Sequence, residues 1–148
     1  MAPDLASRLR LDISRMARRL RQEAGADLSP SQTAALATIE RHGPLTPSEL
    51  AERERVQRPT VTRVLARLEE AGLVERAADP ADRRCSLVSI SAEGRELLDA
   101  VRARKDAFLS RRIDALDAAD REALERAAAI LEEMLERERR PSAGGERG

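Results

Sequence analysis

A chain of 148 residues has the length of one domain, or of one compact domain with helical extensions. Ala, Leu, Arg and Glu dominate, and one Phe with no Trp or Tyr leaves an aliphatic core built by helices. Acids and bases balance at 27 each, which argues against non-specific coating of nucleic acid through net charge and leaves local patches to be found. Such patches exist: residues 52–67 carry five Arg against two Glu, whereas 114–140 carry nine acids against five Arg. A basic centre with an acidic C-terminal segment assigns one face to an anion and another to different work.

The first predicted helix covers residues 5–24, with Leu9, Ile13, Met16 and Leu20 in one stripe and Arg-rich faces elsewhere; Gly25 and Asp27 end it. Within it Arg15, Arg18 and Arg19 read as a solvated basic face. Ser29-Pro30-Ser31-Gln32 supplies an N-cap, a proline at the first helical position and a capping-box Gln. The helix that follows runs to about Arg41, buries Ala35, Leu36 and Ile39, and stops at His42-Gly43-Pro44. Thr46-Pro47-Ser48-Glu49 repeats the capping box and starts a short helix to about Glu54.

A tight turn around Arg55 and Val56 leads into the next helix, predicted to begin between Gln57 and Pro59 because Arg58 precedes a proline. Val61, Val64, Leu65 and Leu68 fall in one stripe, and Pro59, Arg63 and Ala66 lie opposite, flanked by Thr60, Thr62 and Arg67. Its first acid is Glu69, so the outward face offers guanidinium groups, hydroxyls and small side chains. That face suits close approach to a polyanion, with long donors for phosphates and base edges. Two short helices joined by a tight turn, the second basic, form a helix-turn-helix. Gly72 closes the second.

Residues 73–76 and 85–90 read as strands, the latter by the alternation of Val88 and Ile90 with Ser89 and Ser91. Between them Asp79-Pro80-Ala81-Asp82-Arg83-Arg84 forms a charged hairpin tip. A hairpin directly after a helix-turn-helix is a wing, and two arginines at its tip suit the narrow, negative minor groove. Ser91 caps a long helix over about 92–116 carrying Leu97, Leu98, Val101, Phe108, Leu109 and Ile113, with Glu93 at its positive end. Asp117 caps a last helix to about Arg139, whose seam is Leu124, Ala127, Ala128, Leu131, Met134 and Leu135. Residues 141–148 form a disordered tail by composition. The first and the two last helices carry more apolar surface than a small winged helix covers. A second copy in a two-fold dimer or an intramolecular three-helix bundle would bury it, and the dimer is expected. A dimer also sets two reading helices about one DNA turn apart.

On five pieces in order the sequence resembles the MarR family of transcriptional regulators. They are residues 45–51 (Leu-Thr-Pro-Ser-Glu-Leu-Ala), 59–63 (Pro-Thr-Val-Thr-Arg), 68–74 (Leu-Glu-Glu-Ala-Gly-Leu-Val), the tip 79–84, and 90–94 (Ile-Ser-Ala-Glu-Gly). The resemblance spans about Leu5 to Arg139. It implies a mainly α fold with a small β-hairpin wing: a winged helix-turn-helix (29–91) with N- and C-terminal helices (1–28 and 92–140) forming a dimerisation region. It further implies a homodimer on a palindromic double-stranded DNA operator, repressing its own or adjacent genes until a small-molecule effector relieves it. By matching positions, Gln57, Arg58, Pro59, Thr60, Thr62 and Arg63 would enter the major groove, and Arg84 the minor groove with Asp82 orienting it. Arg83 would be a second wing contact, and Arg67 is placed for phosphate. Effector pockets in the family tend to have aromatic walls, whereas this chain has only Phe108, so no ligand site is carried over.

Other functions fit less well. A helical protein-interaction module is conceivable from the neutral total charge and the acid-rich last helix. A thiol-based redox regulator would use Cys85, whose pKa Arg83 and Arg84 would lower. No nucleophile–base pair or phosphate-binding glycine loop is present, and Asp117 and Asp120 read as helix-start residues, so no catalytic residue and no enzyme is expected. His42 is the only His, and no metal or cofactor site is expected. The N-terminal stretch mixes Asp4, Arg8, Arg10 and Asp12 among its leucines, and no apolar run is long enough to span a membrane, so a cytoplasmic protein is expected. A lone cysteine fits that compartment.

Overall fold

The structure, a computed structural model, describes residues 2–25 and 27–139. Six helices and one hairpin follow in the order α1 (Ala2–Ala24), α2 (Pro30–His42), α3 (Pro47–Glu54), α4 (Arg58–Glu70), β1 (Val74–Ala78), β2 (Ser86–Ile90), α5 (Ala92–Asp114) and α6 (Ala118–Arg139). The chain divides into two compact units, Met1–Phe108 and Leu109–Gly148. The first groups α1 and most of α5 with the helices and hairpin between them. The expected tail, 141–148, lies outside the described residues.

Local chemistry sets the helix starts of the first unit. Ser29 and Thr46 each accept the backbone N–H three residues on, while Gln32 and Glu49 reach back to the cap N–H, so both capping boxes form. Helix α1 ends at Gly25, whose φ of +63° is the left-handed conformation that glycine adopts without a Cβ penalty. Arg104 of α5 donates to the Ala24 carbonyl at 2.7 Å, satisfying one terminal acceptor of α1.

The core is aliphatic. Leu36 and Ile39 of α2, Leu50 of α3, Leu65 and Leu68 of α4 and Leu98 of α5 are its innermost side chains, with Val88 of β2 among them. Helices α2, α3 and α4 pack pairwise, α4 leans on β1, and α2 and α3 on β2. Strands β1 and β2 are antiparallel with Val74 opposite Ile90 and Ala78 opposite Ser86.

Three differences from the sequence expectations have local causes. Strand β1 starts at Val74 rather than 73, because the Leu73 N–H closes α4 by bonding the Leu68 carbonyl, and its own carbonyl accepts from Ser91. Cys85 belongs to the turn and not to β2, since its N–H bonds the Asp82 carbonyl and its C=O accepts from Asp79. Leu45 forms an isolated bridge to Val88, exchanging both backbone hydrogen bonds at 2.9 and 2.7 Å, so the loop before α3 edges the hairpin.

Ser91 is a buried junction: its hydroxyl donates to the Gly72 carbonyl at 2.6 Å and accepts from the Gly94 N–H. A Cβ at Gly94 would stand 2.3 Å from the Leu73 carbonyl oxygen, so this position admits only glycine without backbone movement.

In the second unit the Asp120 N–H bonds the Asp117 carboxylate at 2.8 Å, as expected of an N-cap. Arg121 pairs with Asp114 at 3.6 Å. Helix α6 buries none of its residues.

Candidate nucleic-acid interface

Helix α4 is oriented by its own stripe. Val61, Leu65 and Leu68 are buried and Val64 half-buried, which turns Arg63, Ala66 and Arg67 outward. Its start falls at Arg58, within the expected interval, and the extended residue is Gln57. The Gln57 side chain makes no capping bond, so its amide stays at the exposed helix start. Arg58 and Pro59 fill the first turn, exposed, and Arg58 donates to the Ser48 hydroxyl at the start of α3. The Thr62 hydroxyl is committed to the Arg58 carbonyl at 3.0 Å, leaving its oxygen as an acceptor. Thr60 differs from its neighbours: it is half-buried on the flank of the helix toward α2 and α3.

The first turns of α4 carry no acid. Glu69 and Glu70 appear only where the outward face ends, forming a shallow depression with Arg63, Ala66 and Arg67. Arg76 of β1 occupies the Glu69 carboxylate and also donates to Ser86 of β2 at 3.3 Å. This link ties the end of α4 to the root of the hairpin and draws one of the two nearby acids, Glu69, away from the arginine face. Sequence reasoning did not single out Ser48, Glu69, Arg76 or Ser86 as a support for this face. Their pairing joins residues of different elements, and no local spacing announces it.

The hairpin tip is held by its aspartates. Asp79 accepts the Ala81 N–H at 2.9 Å and Asp82 the Arg84 N–H at 3.0 Å, two Asx-type turns in succession. Asp82 thus grips the backbone of Arg84, leaving that guanidinium exposed alongside Arg83. No ion pair involves either arginine among the described residues.

The expectation of a lowered Cys85 pKa is overturned. Desolvation within the turn and the Asp82 carboxylate, which accepts from Sγ at 3.7 Å, raise the thiol above its ordinary value. Asp79 adds to the shift and only Arg58 opposes it. The flanking Arg83 and Arg84 are no part of the balance. Less thiolate at neutral pH makes this cysteine a poorer nucleophile and a poorer oxidation switch.

A separate crevice of about 430 Å³ lies between α1, α2 and α5. Its apolar lining includes Leu20, Leu28, Leu98 and Val101, and its cations are Arg21, Arg102 and Lys105. Arg102 is engaged by Glu40 at 2.8 Å. Arg19, read from sequence as part of a solvated face, instead pairs with Glu23 at 2.7 Å and covers the Phe108 ring at 5.1 Å. No group of His, Cys, Asp and Glu suited to a metal ion occurs among the described residues. No described helix is long and apolar enough to cross a membrane.

Comparisons with known proteins agree with this architecture. The MarR family's sequence profile matches residues 28–86. A HTH-type transcriptional regulator of Mycobacterium bovis, itself uncharacterised, is 41% identical over 128 residues, covering 86% of this chain and 90% of that protein. The crystal structure of a putative transcriptional regulator from Pseudomonas aeruginosa superposes with a TM-score of 0.81 at 38% identity, covering 91% of this chain and 96% of that one. FabT of Streptococcus pneumoniae, solved in complex with DNA, shares the fold at 21% identity and a TM-score of 0.69, covering 92% and 98%. With its basic α4 face and arginine-tipped hairpin, the chain belongs to the MarR family of HTH-type, DNA-binding transcriptional regulators and is not an enzyme.

Proposed function

We propose that this protein is a cytoplasmic homodimeric repressor that reads a palindromic operator with α4 and the hairpin tip. The observation that carries the reading is the exposed, acid-free start of α4 together with two arginines at the tip that form no ion pair among the described residues. Gln57, Arg58, Pro59, Thr62 and Arg63 enter the major groove, with Thr60 contributing from the helix flank. Arg67 meets phosphate, as its place one turn beyond Arg63 suits. Arg84 and Arg83 reach into the minor groove, and Asp82 sets the Arg84 backbone for it. FabT, of the same fold, was solved in complex with DNA, which supports DNA as the partner.

Dimerisation is supported by the apolar side chains that the structure leaves exposed on α1 (Leu5, Leu9, Ile13, Met16) and on α6 (Leu124, Ile130, Met134, Leu135). Residues 1–28 and 92–140 make up the dimerisation region in this reading, and 29–91 the reading domain. Repression of its own or adjacent genes is the mode that the family resemblance implies. The crevice between α1, α2 and α5 supports a small-molecule effector, and its aliphatic wall with Arg21 and Lys105 favours an anion on a non-aromatic body.

A gel shift with DNA upstream of the protein's own gene tests the reading. The expected outcome is a discrete complex at nanomolar protein whose affinity falls steeply with salt. Absence of a shift at low salt, or equal affinity for scrambled DNA, would overturn it.

A further inference from the structure

A second crevice, of about 320 Å³, runs behind α4 between the start of α2 and the α3–α4 turn. Its walls are mostly apolar: Ala35 of α2, Leu50 of α3, Val56 of the turn, and Val61 and Val64 of α4. One charged group lines it, the half-buried carboxylate of Glu54. Glu54 is the last residue of α3, where the helix presents its own partial negative charge and a carboxylate is disfavoured. Thr38 donates to one of its oxygens, Oε1. Its other oxygen, Oε2, is reached by solvent through the crevice and makes no hydrogen bond or ion pair with any described residue. Neighbouring Arg53 and Arg55 are both exposed and do not pair with it. A negative charge at a negative helix end, in a mostly apolar crevice, is the arrangement that a bound cation stabilises.

From this geometry we infer that the crevice is a binding site for a small organic cation, a primary ammonium on a compact aliphatic body. The ammonium donates to the open Glu54 oxygen, and the hydroxyls of Ser31 and Thr60, also on the lining, offer acceptors for its remaining N–H groups. The aliphatic body rests on Leu50, Val61 and Val64. Inorganic cations are disfavoured, because the apolar walls offer too few oxygens to replace a hydration shell. Thr60, Val61 and Val64 belong to the first half of α4, so an occupant braces the helix from the side away from Arg63. Binding is measured without DNA, so its outcome is separate from that of the operator test.

The test is methyl-resolved NMR of the full-length protein titrated at neutral pH with cyclohexylamine, which is protonated there, and with cyclohexanol, its neutral counterpart of similar shape. Saturable shifts are expected at the Leu50, Val56, Val61 and Val64 methyls with the amine. The alcohol should bind roughly tenfold more weakly, the factor carried by one charge-assisted hydrogen bond. Glu54→Gln keeps an acceptor for Thr38 and should lower amine affinity to that of the alcohol. Ser31→Leu, at the exposed rim, should weaken both ligands by filling space. Equal affinity for amine and alcohol, unchanged affinity in Glu54→Gln, or shifts confined to other methyls would each overturn the proposal. The comparison of the two ligands on the unmodified protein decides it even if a variant does not fold.

Discussion

Helices α4 and α6 carry apolar stripes of similar make, and only one of them is covered. In α4, Val61, Leu65 and Leu68 are at most 2% exposed because α2, α3 and β1 close over them. In α6, Leu124, Ile130, Met134 and Leu135 are 48–58% exposed. A soluble chain rarely maintains a contiguous apolar face of that kind toward water, and a second copy is the economical cover. Under the proposed dimer, the difference would separate two kinds of stability, one internal to the chain and one dependent on concentration.

The largest effects are expected at Leu65 and Met134. Leu65→Ala leaves a cavity in a closed core and should lower the unfolding free energy by about 2–5 kcal/mol in urea titration, at every protein concentration. Met134→Glu should leave that core intact and drive the protein toward the mass of one chain in sedimentation equilibrium. An unmodified protein that sediments as a monomer throughout the micromolar range would contradict the dimer. A smaller effect is expected at the joint between α4 and α5. Gly94→Ala forces a methyl group against the Leu73 carbonyl and should cost about 1–3 kcal/mol, again by urea titration. A loss below the error of the titration would show that the joint yields. The smallest effect concerns Cys85. Its raised pKa leaves less thiolate at neutral pH, and the thiolate is the reacting form. Alkylation by iodoacetamide should therefore be slower than for a free cysteine and accelerate as pH rises through the alkaline range. A rate at neutral pH above that of free cysteine would show the opposite shift.

Features written in neighbouring residues were legible in the sequence. The capping boxes at Ser29–Gln32 and Thr46–Glu49, the glycines 25 and 72 that close their helices, and the stripe that orients α4 all depend on contacts within one or two turns. What required the structure is non-local. The bridge from Leu45 to Val88 and the link from Arg76 to Glu69 join residues that no spacing rule connects. Adjacency in sequence sets Arg83 and Arg84 beside Cys85, whereas desolvation and then the Asp82 carboxylate, which the turn aims at the thiol, decide the direction of its shift. The half-burial of Thr60 was hidden for the same reason, since helical projection shows which face is apolar but not where a third helix ends. The apolar seam of α6 could be read, and its lack of cover within the described chain could not.

In the proposed complex, labour is divided along α4, with Arg63 reading bases and Arg67 holding phosphate. The most direct measurement is binding of Arg63→Ala and Arg67→Ala to operator and scrambled DNA across a salt series. Arg63→Ala should weaken operator binding by about 1–3 kcal/mol while barely changing scrambled DNA. Arg67→Ala should weaken both DNAs alike and reduce the salt slope by about one. Equal losses on the two DNAs for Arg63→Ala would contradict the account, since that residue would then be touching backbone alone.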